Sequence, residues 1–167
     1  MNHALRIGIL GYGRFGSAFA ALLTERRYAW LGWDSANTVP AAHAAASVAD
    51  LLARSELIVI AVPIGAFETV LRELRPHLGS QHQVMDVCSV KQHPCALMDE
   101  LLGDAIPHVG SHPLFGPLSM ARAEPLRTVL CPSPGIPWLR CRRGHCSSRS
   151  VARSPRWTRL PMTGTWH

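Results

Sequence analysis

The stretch LRIGILGYGRFG, residues 5–16, runs from an apolar segment into a glycine-rich turn, and this junction decides the fold. The apolar run that ends at Gly11 is typical of a strand buried inside a parallel sheet. Beyond the turn, residues 13–26 repeat large apolar side chains at the spacing of an amphipathic helix. A buried strand that passes through glycines directly into a helix indicates the first unit of an α/β fold.

Alternation of strands and helices continues along the chain. Apolar runs predict further strands over residues 29–34, 56–63, 84–89, 106–113 and 126–132, and helical spacing predicts helices over residues 48–55, 65–74 and 95–103. Such alternation winds helices over both faces of a parallel sheet. We therefore predict an α/β fold with a doubly wound, mostly parallel, Rossmann-like sheet over residues 1–131, followed by an irregular tail over residues 132–167.

The turn has the spacing G-x-G-x-x-G, which binds dinucleotides when it lies between a strand and a helix. Its first glycine permits the tight turn, its second lets the backbone approach a pyrophosphate, and its third lets the helix pack closely on the strand. The phosphates then meet free N–H groups at the positive end of the helix. The predicted phosphate-binding residues are Gly11, Tyr12, Gly13, Arg14, Phe15 and Gly16.

An acidic residue, Asp34, closes the second predicted strand. A carboxylate at this place accepts hydrogen bonds from the hydroxyls of the adenosine ribose and repels a 2′-phosphate, so the sequence predicts NAD rather than NADP. The alternative is a glycine-rich turn beside a solvated aspartate. We also predict that Val62, Pro63 and Ser89 contact the cofactor, and we predict no metal site.

Two polar segments, DVCSVK at residues 86–91 and GSHPLFGP at residues 110–117, follow later strands. Open parallel sheets bind ligands beyond the carboxyl ends of their strands, so we expect Ser89 and Lys91 to face the cofactor cleft. His112 is the candidate proton acceptor of a dehydrogenase, because histidine titrates near neutral pH. The alternative is that His112 is an ordinary loop histidine. We interpret five other histidines as solvated side chains at helix ends or in loops: His43, His77, His82, His93 and His108.

In this order and spacing, GYGRFG, IVIAVPI, DVCSVK and GSHPLFGP resemble the dinucleotide-binding domain of prephenate dehydrogenases, whose siblings are the arogenate and cyclohexadienyl dehydrogenases. The resemblance covers about residues 5–131. It implies NAD-dependent oxidative decarboxylation of prephenate to 4-hydroxyphenylpyruvate in tyrosine biosynthesis, with prephenate or arogenate as the small-molecule substrate. It further implies that His112 takes the proton of the substrate's ring hydroxyl, that Ser89 orients this histidine, and that the intact protein is a homodimer.

Charge divides the chain into two parts. Residues 1–131 hold 10 Lys+Arg and 11 Asp+Glu, whereas residues 132–167 hold seven arginines and no acidic residue. No apolar run approaches the length of a membrane span, and the N-terminus lacks the layout of a signal peptide. An odd number of cysteines without a paired framework fits a reducing compartment. We therefore expect a cytoplasmic protein without a membrane partner.

The basic tail admits three interpretations. Arginines with interspersed tryptophans could contact nucleic acid, and the cluster of Cys141, His145 and Cys146 could hold a metal, although it lacks a second pair at zinc spacing. The third interpretation, which we favour over a nucleic-acid partner, is a reading-frame shift in a GC-rich gene, since such translations are rich in Arg, Pro, Ser, Ala and Cys. Residues 132–167 would then form no domain.

The genetic code supports the frame shift. The pairs Trp157–Thr158 and Met162–Thr163 each supply a G followed by AC, so the shifted frame encodes aspartate at both places. That frame permits H-D-x-x-M-A, and the family that the chain resembles carries a very similar segment where its helical second domain begins. In that family the second domain supplies the arginine that binds the substrate. We expect that this truncated chain, without that domain, binds NAD weakly and turns over almost no prephenate.

Two other functions stay open at this point. One is another NAD(P)-dependent dehydrogenase that acts on a small hydroxy acid. The other is a nucleotide-binding module whose basic tail contacts nucleic acid, and it predicts salt-dependent binding that is lost when residues 132–167 are deleted.

Overall fold

The computed structural model describes residues 5–122 and 125–132, which form one sheet with helices on both faces. The predicted tail beyond Pro132, with Cys141, His145 and Cys146, lies outside the described residues. The strands are β1 (Arg6–Leu10), β2 (Ala29–Trp33), β3 (Leu57–Ile60), β4 (Gln83–Asp86), β5 (His108–Pro113) and β6 (Thr128–Pro132). The helices are α1 (Arg14–Glu25), α2 (Val48–Ala53), α3 (Ile64–Leu74), α4 (Gln92–Leu102) and α5 (Pro117–Ala121).

The strand order is β2-β1-β3-β4-β5-β6, and neighbouring strands from β2 to β5 are parallel. The predicted doubly wound, mostly parallel sheet is therefore confirmed. The last strand, β6, runs antiparallel to β5. A parallel return would need a helix that spans the length of the sheet, and α5, with five residues, covers only about 7.5 Å.

Two apolar layers enclose the sheet. On one face α1 packs on a cluster that includes Ile7, Ile9 and Val59, and on the other face α3 and α4 cover a cluster that includes Ile58 and Phe67. All four residues of β3 are buried, because consecutive side chains of a central strand enter opposite layers. This double coverage explains why the strand is continuously apolar rather than alternating.

Two histidines that we expected to be solvated are buried, so that expectation was wrong for them. The ring of His82 accepts a hydrogen bond from the amide of Gly79 (2.9 Å), and its other nitrogen lies 3.1 Å from the carbonyl of Leu52. His108 lies between the carbonyl of Ile106 (2.8 Å) and an oxygen of Asp99 (2.9 Å). Hydrogen bonds at both ring nitrogens compensate the loss of water.

Within the described residues, no helix combines the length and the apolar character needed to cross a membrane.

Candidate functional site

A cleft of about 930 Å³ opens where β1, β2, β3 and β4 end, which is the edge at which α/β sheets bind ligands. Its volume lies within the usual range of small-molecule and cofactor sites. Eight of the predicted cofactor-binding residues line it: Gly11, Gly13, Arg14, Phe15, Asp34, Val62, Pro63 and Ser89. Two predicted residues, Tyr12 and Gly16, do not line it, because the ring of Tyr12 stacks near Trp30 and Gly16 is buried under the turn.

The three glycines of the turn occupy different environments. Gly11 has φ +101°, a conformation that side chains rarely adopt, and a Cβ there would lie 2.6 Å from the carbonyl oxygen of Ala61. A Cβ on Gly16 would overlap the carbonyl oxygen of Gly11. A Cβ on Gly13, in contrast, would meet nothing within 4 Å.

The space beside Gly13 fits a pyrophosphate. Gly13 is the N-cap of α1, and no side chain caps this helix end among the residues that the structure describes. Backbone N–H groups at an uncapped helix N-terminus, with the helix dipole behind them, favour an anion. The turn therefore presents an open, positively polarised cradle at the mouth of the cleft.

Asp34 links the glycine turn to the neighbouring loop. Its Oδ1 accepts hydrogen bonds from the amides of Ala36 (2.7 Å) and Asn37 (2.8 Å) and from the side-chain amide of Asn37 (3.1 Å), while its Oδ2 accepts one from the amide of Tyr12 (2.5 Å). Partial burial acts to raise the pKa of Asp34, but the hydrogen bonds outweigh it and hold the pKa below its ordinary value. The carboxylate is therefore ionised at neutral pH, and Oδ2, which accepts one hydrogen bond, has the capacity to accept a second from a hydroxyl.

Lys91 does not face the cleft, so our expectation for this residue was wrong. Its ammonium donates to both oxygens of Asp86, to Oδ1 at 2.6 Å, and also to the carbonyl of Ser111 at 2.6 Å. The side chain of Asp86 is 0% exposed and that of Lys91 is 18% exposed. A buried carboxylate draws the nearest cation to itself, since an unpaired charge in the interior is costly.

Sequence reasoning gave no role to Asp86, although this acid ends an apolar strand and a lysine follows five residues later. Besides the bonds to Lys91, its oxygens accept hydrogen bonds from the amides of Cys88 (3.1 Å) and Ser111 (3.0 Å). An acid inside a buried apolar run, followed closely by a lysine, was the signal available for this ion pair.

His112 lies near the end of β5 and does not line the cleft itself. Its ring is partly exposed, yet Nδ1 is buried and has no hydrogen-bond partner among the described residues. Phe115, three residues later, packs on Phe15 of the glycine turn with ring centroids 5.9 Å apart. This contact places the segment that follows β5 beside the turn, while Ser89 forms part of the cleft wall.

Cys88, which also lines the cleft, is not a ready nucleophile. Burial, reinforced by the negative charge of Asp86, raises the pKa of the Cys88 thiol to about 11. The thiol thus stays protonated at neutral pH, and only the thiolate is nucleophilic.

Comparison with known families and proteins identifies relatives of this chain. Residues 33–141 match the family model of the prephenate dehydrogenase nucleotide-binding domain, a range that continues past the boundary we predicted at residue 131. A probable arogenate/prephenate dehydrogenase of Methanocaldococcus jannaschii is 33% identical over 64 residues, which are 38% of this chain and 14% of that protein. A glycerol-3-phosphate dehydrogenase [NAD(P)+] of Anaeromyxobacter dehalogenans is 29% identical over 136 residues, or 69% of this chain and 41% of that protein.

Among solved structures, the arogenate dehydrogenase of Synechocystis is similar with a TM-score of 0.66 and 25% identity, and the match covers 80% of this chain and 52% of that one. The chain thus spans less than half the length of the curated relatives named above and about half of this solved structure. The family match covers more than half of the chain. The chain belongs to the prephenate dehydrogenase family and contains the nucleotide-binding domain of that family.

Proposed function

We propose that this chain is the cofactor-binding part of an enzyme that oxidatively decarboxylates prephenate, or its sibling substrate arogenate, in tyrosine biosynthesis. NAD is the cofactor of the domain, and it fits the open cradle at Gly13 and the ionised carboxylate of Asp34. The observation that carries the proposal is the place of His112: its ring is partly exposed near the end of β5, and the segment that follows it packs on the glycine turn. A partly exposed imidazole beyond the end of a parallel strand suits a group that receives a proton from a ligand.

In the proposed mechanism, each residue has one task. The turn at Gly11 and Gly13 binds the pyrophosphate, and Asp34 binds the adenosine ribose. His112 hydrogen-bonds the substrate's ring hydroxyl and takes its proton, while Ser89 orients the imidazole. When bound, NAD supplies the acceptor for the hydride that leaves the hydroxyl-bearing carbon. Loss of carbon dioxide then makes the ring aromatic, so the protein needs only to position and polarise the substrate.

Replacing His112 tests the catalytic proposal. In a chain expressed from a frame-corrected gene, we expect His112→Gln to lower kcat by about 10²- to 10⁴-fold, because the proton acceptor is lost. The NAD dissociation constant should change by less than about twofold, since His112 does not line the cleft. Steady-state rates and an NAD titration measure the two values. Unchanged turnover with prephenate and arogenate would remove His112 from the mechanism.

Replacing Asp34 tests the cofactor preference. We expect Asp34→Ser to weaken NAD binding by about tenfold and to narrow the preference for NAD over NADP, because the 2′-phosphate no longer meets a negative charge. Parallel titrations with NAD and NADP, followed by fluorescence, give the ratio. Asp50→Ser is the control, because Asp50 is also an acid bonded to backbone and lies outside the cleft lining. A preference that stays unchanged in Asp34→Ser would contradict this role.

We further propose that residues 132–167 are read out of frame, although the family match itself continues to residue 141. The arginine-rich composition and the two aspartate codons of the shifted frame support this. Resequencing the gene around the codons for residues 130–137 tests it directly. An added or missing base there is the expected result, and an intact frame that matches the present one would overturn the proposal.

A second candidate function is the oxidation of another small hydroxy compound. The similarity to a glycerol-3-phosphate dehydrogenase, which covers 69% of this chain, favours it. Rates with prephenate, arogenate and simple hydroxy acids, measured on the frame-corrected chain, separate the two candidates.

A further inference from the structure

The end of β5 is held unequally by its two neighbours. Pairing between β4 and β5 stops at Asp86 and Gly110, because β4 ends there. Pairing with β6 continues, so that His112 lies opposite Val129. The residues of β5 beyond Gly110, His112 among them, therefore have no paired residue in β4.

Beyond the last residue pair of β4 and β5, hydrogen bonds that involve side chains hold Ser111. The amide of Ser111 donates to Oδ1 of Asp86 (3.0 Å), and the hydroxyl of Ser111 donates to the backbone carbonyl of Asp86 (2.5 Å). The ammonium of Lys91 donates to the carbonyl of Ser111 (2.6 Å). The amide, the hydroxyl and the carbonyl of Ser111 are thus all bonded to the Asp86–Lys91 pair, and the next residue is His112.

The burial of this pair calls for a reason other than stability. A buried ion pair is weak evidence for stabilisation, because apolar residues of similar volume often do as well. Charge-assisted hydrogen bonds are, however, short and directional, so they fix geometry better than apolar contacts do. Here they fix the main chain immediately before the imidazole.

We propose that Asp86 and Lys91 are positioning residues for His112, which extend the sheet beyond the end of β4 by means of side chains and hold the imidazole at the edge of the cleft. This inference rests on the proposed function of His112. The alternative is that the pair only anchors the start of α4 to β4.

Nuclear magnetic resonance of the isotope-labelled 167-residue chain tests the inference without NAD or substrate. In Lys91→Met we expect the Ser111 amide to exchange about 10- to 100-fold faster than in the parent chain, because the charge-assisted bonds that hold this residue are weakened. We also expect the ring signals of His112 to broaden or split as its orientation loses definition. Lys91→Arg, which keeps the cation, should retain most of the protection and a single set of ring signals.

Met98→Ala is the matched control, because Met98 is fully buried in α4 and lies outside the hydrogen-bonded network. It should destabilise the helix while leaving the His112 ring signals unchanged. If Lys91→Met does not fold, Ser111→Ala, which removes only the hydroxyl bond, replaces it and should alter the ring signals in the same way.

Sharp and unshifted His112 signals in the folded variant, with Ser111 protection equal to that of the Met98→Ala control, would overturn the inference. A change confined to α4 would do the same and would favour the anchoring role. Failure of the proposed function would be seen in the turnover assays with His112→Gln. It is distinguishable from failure of this inference, because the resonance measurements use neither NAD nor substrate.

Discussion

Gly13→Ala should fold as stably as the parent chain and lose most of its NAD affinity, whereas Gly16→Ala should fail to fold or unfold at much lower denaturant. A methyl group at Gly13 meets nothing within 4 Å, so it costs no packing energy, but it occupies the space that the pyrophosphate needs. A methyl group at Gly16 overlaps the carbonyl oxygen of Gly11, which is backbone and cannot rotate away. We expect a loss of NAD affinity of at least about tenfold for the first variant and a loss of unfolding free energy of about 3 kcal/mol or more for the second.

Urea unfolding followed by circular dichroism, together with calorimetric titration of NAD, distinguishes the two effects. Gly65→Ala is the control, because a Cβ at Gly65, in α3, also meets nothing within 4 Å and this residue is not part of the cleft lining. This control should keep both stability and NAD affinity. Normal NAD binding by Gly13→Ala would place the pyrophosphate somewhere other than the turn.

A second large effect is expected at Lys91. The variant Lys91→Met should lower the unfolding free energy by about 3–5 kcal/mol. The substitution leaves the carboxylate of Asp86, which is 0% exposed, without its cation, and the cost of a broken buried pair is mainly that of the remaining charge. The double variant Asp86→Asn/Lys91→Met removes both charges and keeps an acceptor for the Ser111 amide. We therefore expect the double variant to be more stable than Lys91→Met alone.

Equilibrium urea unfolding of the parent, the two single variants and the double variant forms a double-mutant cycle that isolates the pair. The exposed helix pair Arg54–Asp50, with a separation of 3.1 Å, is the comparison. Arg54→Met should cost less than about 1 kcal/mol, because exposed ion pairs contribute little. If Lys91→Met costs no more than Arg54→Met, the carboxylate of Asp86 does not need its cation, and the expected cost of a broken buried pair is wrong.

The order of strands and helices was predictable because each element is encoded by neighbours in the sequence. Residues 5–26 contain a buried strand, a glycine turn and an amphipathic helix, and the structure has β1 and α1 there. The N-cap at Ser47, whose Oγ accepts the amide of Asp50, and the end of α4 at Gly103 are local signals of the same kind. Asp34 was identified for the same reason, since it follows a strand directly.

Tertiary structure alone decided which polar groups are buried together. The carboxylate of Asp86 meets Ser111 across 25 residues of sequence, and the ring of His82 meets the carbonyl of Leu52 across 30. Nothing near His82 in the sequence marks it as buried, because a buried polar group is stabilised by partners that the fold brings from elsewhere. The sequence by itself determined the sheet, the glycine turn and the acid beside it, whose patterns are local. The fold decided how the segment around His112 is held, because its partners Asp86, Val129 and Phe15 lie on β4, β6 and α1.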